Sequence, residues 1–88
     1  MRTRESIVER VTVADVLRLA GLPAPTARGV MRCPSHDDEH PSARVQPSGR
    51  GWRCHACGAH GGVLDLVVAL GRAHDRRHAA KWIEVNLP

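Results

Sequence analysis

The chain contains no phenylalanine and no tyrosine, and its only large aromatic side chains are those of Trp52 and Trp82. Of its 88 residues, 42% are hydrophobic, and most of these are Ala, Val and Leu. A chain of this length buries only about 60–65% of the surface that it exposes when unfolded. Because so small a core lacks large aromatic residues, we expect a further stabilising element such as a bound metal ion.

The sequence also lacks a long hydrophobic run. No segment approaches the ~20 consecutive apolar residues that a membrane-spanning helix needs. Residues 1–10 carry charges but no apolar centre, so they do not have the pattern of a secretory signal peptide. We therefore expect no membrane association.

Lysine is nearly absent, because 12 of the 13 basic residues are arginine and only Lys81 is lysine. The formal net charge is +4 at pH 7. Arginine forms bidentate contacts with phosphate and stacks on bases, and a small basic domain is typical of nucleic-acid binding. A G+C-rich genome would also enrich arginine, so composition alone does not establish this partner.

Cysteine is scarce, but its three occurrences are grouped with a histidine. Two knuckles with a gap of two residues, Cys33-x2-His36 and Cys54-x2-Cys57, offer four soft ligands. Zn²⁺ prefers such a tetrahedral set, and the short gap lets one tight turn direct both side chains to the same ion. We predict one structural zinc ion bound by Cys33, His36, Cys54 and Cys57.

The alternatives for the cysteines are less well supported. A Cys54–Cys57 disulfide that leaves Cys33 free would suit a secreted protein, but nothing indicates secretion. A thioredoxin-like Cys-x-x-Cys would follow a buried strand in a βαβ unit, and no such pattern surrounds Cys54. The metal set uses every cysteine, and reduced thiolates on a metal indicate a reducing compartment. We therefore expect a cytoplasmic protein.

Other histidines compete with His36 for the metal. His40 is the main competitor, since it follows only four residues later. His55 lies between two cysteines, where its side chain should point away from the ion, whereas His60 follows the second knuckle closely. The remaining two histidines are His74 and His78. They lie one turn apart in a predicted helix, and we interpret them as part of its solvated face.

The first part of the chain predicts helices. Residues 3–20 have a helical apolar pattern in two pieces. Thr12 and Asp15 form a capping-box-like start for the second piece, residues 13–20. Gly21 is a natural residue to follow its last turn.

Residues 28–57 predict the metal-binding β region. A short strand at residues 30–32 leads into the first knuckle, and residues 43–46 and 51–53 form a hairpin closed by Pro47-Ser48-Gly49-Arg50. After Gly58 the apolar period becomes helical, which predicts helices at residues 63–70 and 74–86. Trp82 is read as a core anchor of the last helix.

Together these patterns predict a small α+β fold, a zinc-ribbon-like antiparallel sheet flanked by N- and C-terminal helices. The length predicts a single domain over residues 1–88.

Several of these residues occur together in one known family. Cys33-Pro34-Ser35-His36, then Pro41-Ser42, and then Cys54-His55-Ala56-Cys57-Gly58 resemble the zinc-binding domain of bacterial and phage DNA primases. The family pattern is roughly C-P-x-H-x4-P-S, a hairpin with an aromatic residue, C-x2-C-G-x-G-G-D and an apolar helix. The match covers about residues 7 to 86. This chain departs from the pattern at His60, where the family has Gly, and at Gly62, where it has the Asp that caps the next helix.

The resemblance implies a module that binds the single-stranded DNA template and helps to choose the start site of the RNA primer. Its partners would be a primase catalytic domain or subunit and the replicative helicase, because the toprim-type catalytic domain of the family does not fit in 88 residues. A sheet that binds single strands combines an aromatic residue for base stacking with cations for phosphates. The candidates are Trp52 for stacking and, for phosphates, Arg32, Arg44, Arg50 and Arg53.

Strand alternation leaves the role of Trp52 open. Trp52 and Cys54 share one face of their strand, and Arg53 lies on the other. Without the pairing register, the faces of Trp52 and Arg44 cannot be related. Stacking on a base and packing against a helix are equally supported.

Two other classes of function need to be considered for a small zinc-binding chain. Zinc would also suit a protein–protein adaptor that contacts primase, helicase or polymerase, or a stand-alone relative of primase that has lost primer synthesis. A zinc enzyme keeps one metal position for water, whereas this motif fills all four, and the H-x-E of nucleic-acid deaminases is absent. We therefore expect no catalysis by the isolated chain.

Overall fold

The computed structural model describes residues 9–34 and 41–87, and within them three helices and four strands. In chain order these are α1 (Val13–Leu19), β1 (Val30–Met31), β2 (Ala43–Val45), β3 (Gly51–Cys54), β4 (His60–Gly62), α2 (Val63–Ala69) and α3 (Arg76–Asn86). The strands form one antiparallel sheet in the order β1-β2-β3-β4. This confirms the predicted zinc-ribbon-like α+β fold. The first piece of the predicted N-terminal helix lies mostly outside the described residues.

Helix α1 begins at the predicted capping box. The backbone N–H of Asp15 donates to Thr12 Oγ1 at 3.2 Å, and the Thr12 N–H donates to Asp15 Oδ2 at 3.0 Å. The backbone N–H of Thr12 lowers the pKa of the Asp15 carboxyl, against the opposing effect of burial. The helix ends at Leu19, and the predicted Gly21 follows its C-cap residue Ala20 with a φ of 75°. There, the amides of Gly21 and Leu22 donate to the carbonyls of Arg18 and Leu17, which is a Schellman ending.

The pairing register assigns each strand residue to one face of the sheet. Ala43 pairs with Cys54 and Val45 with Trp52, and these residues point into the molecule. Arg44 pairs with Arg53 between them, so both arginines lie on the outer face. Trp52 and Arg44 therefore point in opposite directions.

Strand β4 was not predicted, because its sequence, His60-Gly61-Gly62, has almost no intrinsic preference for a strand. Its pairing with β3 creates the strand. Gly61 lies opposite Trp52, and a Cβ at this position would lie only 2.4 Å from the Cβ of Asp65. A side chain does not fit between β4 and the first turn of α2.

The core lies between the inner face of the sheet and the helices. Trp52 is 2% exposed, and its indole Nε1–H donates to the Gly62 carbonyl at 3.2 Å. The buried cluster includes side chains from the inner face of the sheet and from all three described helices: Val13, Val16, Leu17, Met31, Ala43, Trp52, Cys54, Val63, Leu66, Val67, Ala79 and Ile83. Trp52 is therefore a structural residue of the core.

Helices α2 and α3 begin close to their predicted starts. Gly62 is the N-cap residue of α2 and has no side chain that could accept a hydrogen bond from the first turn. Its own backbone N–H donates to Asp65 Oδ2 at 2.9 Å, and this bond compensates in part for the missing cap. Helix α3 begins at Arg76 rather than at residue 74, because the Asp75 carboxylate caps it by accepting from the His78 N–H at 2.8 Å. None of the helices that the structure describes is both long and apolar enough to cross a membrane.

Candidate metal centre and nucleic-acid interface

Three thiols meet at one end of the sheet. The Sγ atoms of Cys33, Cys54 and Cys57 all lie within 4.8 Å of one another, and those of Cys33 and Cys57 are 3.6 Å apart. A disulfide would bring two sulfurs to about 2.05 Å. Sulfurs at about 2.3 Å from one tetrahedral zinc ion would be separated by about 3.8 Å. The cluster therefore fits one face of a zinc tetrahedron and not a disulfide.

The backbone of the second knuckle holds two of these thiols together. Cys54 ends β3, and its N–H donates to the Ala59 carbonyl at 2.7 Å. The chain then turns through residues 55–57, and the Gly58 N–H donates back to the Cys54 carbonyl at 3.0 Å. Gly58 has a φ of 77°, a left-handed conformation that glycine adopts without strain. The glycine after the knuckle thus allows Cys57 to return toward Cys54.

A hydroxyl supports the cluster from outside. Ser42 Oγ lies 3.4 Å from Cys54 Sγ, and the Ser42 carbonyl accepts from the His55 N–H at 3.0 Å. A metal-bound thiolate has no proton, so the hydroxyl must be the donor in that state. Such outer contacts orient metal ligands and tune their affinity. Sequence reasoning missed this residue as a functional one, although Pro41-Ser42 was part of the motif.

The fourth predicted ligand, His36, and its competitor His40 lie outside the described residues. Within the described part of the chain, the metal-binding cluster contains the three cysteines and no histidine. The exposed His60 ring has its Nδ1 3.2 Å from the Gly58 carbonyl, and His55 is exposed between the cysteines. His36 stays a prediction from its spacing.

The outer face of the sheet carries a row of basic side chains. Arg44 and Arg53 are direct cross-strand partners, and Arg53 also pairs with His60 on β4. All three are exposed. The four described strands contain no Asp or Glu, so no carboxylate of the sheet itself offsets this charge. We name Arg44, Arg53 and His60 the basic row.

The other two predicted arginines lie beside this row. Arg32 is exposed and directly follows β1 before the first knuckle. Arg50 lies in the β2–β3 turn, where its backbone N–H donates to Ser48 Oγ at 3.2 Å. The five residues predicted to contact DNA thus divide into four exposed arginines and one buried tryptophan.

The structure favours packing over stacking for Trp52. Its side chain is 2% exposed, lies on the inner face and contributes its N–H to a hydrogen bond. A base that stacked on this indole would have to displace the core. We therefore remove Trp52 from the predicted nucleic-acid surface, whereas His60, which the sequence did not single out for this role, joins it through the unpredicted strand β4.

The four-stranded antiparallel sheet, with three cysteines clustered at its end and helices on one face, forms a zinc-ribbon-like fold. Residues 2–83 match the family described as the CHC2 zinc finger, the zinc ribbon of DnaG primase. The chain belongs to the CHC2 zinc finger family. This confirms the resemblance noted in the motif, and it supports zinc binding.

Two curated relatives are much longer than the region that they share with this chain. A DNA primase of Synechococcus elongatus is 33% identical over 72 residues, which cover 82% of this chain and 10% of the primase. The Gene 58 protein of Mycobacterium phage D29 is 46% identical over 35 residues, or 40% of this chain and 27% of that protein. The match therefore spans about a tenth of the one relative and about a quarter of the other. No solved structure matches the chain.

Proposed function

We propose that this protein is a zinc-stabilised module that recognises single-stranded DNA template for a primase. The metal ligands are Cys33, His36, Cys54 and Cys57, and the ion supplies a structural crosslink between the two knuckles. Support comes from the three converging thiols and from the family to which the chain belongs. One zinc ion per chain by metal analysis is the expected result, and Cys54→Ser should abolish it.

The observation that carries the DNA-binding part is the direct pairing of Arg44 with Arg53 on an exposed face. Directly opposite side chains on antiparallel strands have Cβ atoms about 4.5–5.5 Å apart, and like charges there destabilise the pair. An anion between the two guanidinium groups would remove that repulsion. The phosphates of a single strand supply such anions in succession, and arginine binds them in bidentate geometry.

The test is the salt dependence of oligonucleotide binding. Three phosphate contacts, by Arg32, Arg44 and Arg53, should contribute about −2 to the slope of log K against log salt for a single strand. The double variant Arg44→Ala/Arg53→Ala should reduce the magnitude of the slope by about 1.4. Both side chains are exposed, so the fold and the zinc content should not change.

A matched control removes the same charge elsewhere. Arg10→Ala/Arg77→Ala replaces two exposed arginines that lie outside the sheet. It should leave the slope close to that of the wild type. Equal losses in the two double variants, or no binding by the wild type at low salt, would contradict the proposed surface. Retention of a primase, helicase or polymerase by a variant without the sheet arginines would favour the adaptor function instead.

We further propose that the chain is an accessory part of a primase and acts with a catalytic domain or subunit. The primase relative is far longer than the matched region, so the chemistry would belong to the remaining sequence. Mixing this protein with a separate catalytic unit should change where primers begin. Primer synthesis by this protein alone would overturn the accessory role.

A further inference from the structure

The C-terminal helix borders a second basic surface, away from the outer face of the sheet. An open groove of ≈ 480 Å³ lies along α3, lined by Arg72, His74, His78, Lys81, Trp82 and Val85 among others. This volume falls within the range of clefts that hold small ligands, about 300–1,000 Å³. We call it the α3 groove.

The groove combines an apolar floor with cations. Trp82 is partly buried and packs against the core, while it also lines the groove. Val85, one turn of helix away in the same lining, is 71% exposed. The exposed Val85 and the neighbouring indole of Trp82 together offer an apolar surface on which a planar group can lie.

The charges of the groove favour an anionic occupant. Arg72 and Lys81 are basic, and no carboxylate is among the described residues that line the groove. A paired carboxylate nearby is that of Asp75, whose Oδ1 lies 2.8 Å from Nδ1 of the lining residue His78. The Arg72 Nη2 donates to the Ala20 carbonyl at 3.1 Å, which holds the guanidinium in place and uses one of its five N–H donors. The rings of His74 and His78 meet edge to face at a centroid distance of 6.0 Å, so they form one wall.

We propose that the α3 groove is a second contact site for single-stranded nucleic acid, in which a base stacks on Trp82 and its flanking phosphates bind Arg72 and Lys81. This inference rests on the proposed function for the class of ligand, but it uses a separate surface. Single-strand sites commonly pair a stacking aromatic residue with cations. The basic row has cations and no tryptophan, because Trp52 is buried, whereas the α3 groove has both.

Tryptophan fluorescence tests the stacking directly. In the variant Trp52→Phe, Trp82 is the only indole, so a stacked base should quench its emission when oligothymidylate is added. Trp82→Leu should weaken oligothymidylate binding roughly 5- to 150-fold, whereas Trp82→Phe, which keeps an aromatic face, should retain most of the affinity. A quench that is absent at saturating oligothymidylate overturns the inference.

A pair of charge variants provides a readout that does not depend on packing. Lys81→Ala should reduce the magnitude of the salt slope by about 0.7, since one phosphate contact is lost. Arg77→Ala removes the same charge from an exposed position on α3 outside the groove lining and should leave the slope unchanged. Equal effects of the two variants would mean general attraction rather than a site, and would also overturn the inference.

The outcomes separate this site from the sheet. Binding that depends on Arg44 and Arg53 but neither quenches Trp82 nor responds to Lys81→Ala leaves the proposed function intact and removes the α3 groove. No binding of oligothymidylate at low salt removes both. Equal quenching of Trp82 by polyglutamate of matched charge would assign the groove to an acidic protein partner and contradict the nucleic-acid assignment.

Discussion

At the residue scale, the metal site depends on groups that are not ligands. The Ser42 hydroxyl approaches Cys54 Sγ at 3.4 Å, and Cys54 itself is completely buried. A buried thiolate without such a donor would lose part of its stabilisation, because solvent cannot replace the hydrogen bond. The serine of the motif therefore has a physical role in the cysteine cluster.

Replacing this serine gives the first prediction. Ser42→Ala should lower zinc affinity about 10- to 100-fold, the usual effect of losing an outer contact to a metal ligand. Competition with a chromophoric chelator measures the change. Ser48→Ala is the matched control, because Ser48 bonds to the Arg50 backbone in the hairpin turn and not to a cysteine. An unchanged affinity in Ser42→Ala would mean that the hydroxyl does not support the thiolate.

At the element scale, the helices are defined at their ends by short-range hydrogen bonds. Helix α1 has only seven residues, which is too few for a helix to be stable in isolation. Its reciprocal capping box and its three buried side chains, Val13, Val16 and Leu17, compensate for this. The carboxylate of Asp15 is part of the box, and its pKa is lowered mainly by the N–H of Thr12. Its contribution is therefore present above the usual pKa of 3.8 and is lost as the pH falls through the lower value of the folded state.

The capping box gives a second prediction. Thr12→Ala removes the acceptor for the Asp15 N–H and should destabilise the zinc-bound protein by about 1 kcal/mol at neutral pH. Thr12→Ser keeps the hydroxyl and should cost far less. Urea unfolding of both variants at one fixed zinc concentration measures the difference. Equal stabilities of the alanine and serine variants would show that packing alone holds α1.

At the scale of the whole molecule, the metal centre and the core are one structure. Cys33 and Cys54 belong to the same buried cluster as Trp52 and the apolar residues of the helices. Structural zinc contributes on the order of 10–16 kcal/mol of apparent binding free energy in small finger peptides. The whole net stability of a domain is about 5–15 kcal/mol. The free energy lost on removal of the ion should therefore exceed the net stability of the fold, so the metal-free protein should unfold.

Metal removal is the corresponding experiment. A strong chelator should abolish the near-ultraviolet circular dichroism signal of Trp52 and the hydrogen-exchange protection of the β2–β3 amides. Added Zn²⁺ should restore both, whereas added Mg²⁺, which prefers oxygen ligands, should not. A metal-free protein that kept its native spectrum and exchange pattern would refute the structural role of zinc.

The local features of this protein follow from its sequence because they depend on neighbours along the chain. The two cysteine spacings, the Thr12–Asp15 box, the glycine ending of α1 and the β2–β3 hairpin each involve residues only a few positions apart. Their conformations are set by backbone geometry and by short hydrogen bonds, which the residue types dictate. The zinc-ribbon-like class could therefore be predicted, whereas the family was recognised only by the resemblance of the motif residues.

Only the tertiary structure decided which side chains face the solvent and which face the core. A shift of one residue in pairing would reverse the faces of Trp52 and Arg53, and neither residue type dictates that register. The unpredicted strand β4 forms because β3 offers it a partner, not because His60-Gly61-Gly62 prefers to be extended. Burial of Trp52, the basic row of Arg44, Arg53 and His60, and the groove beside Trp82 all result from contacts between distant segments, whose energies no local pattern contains.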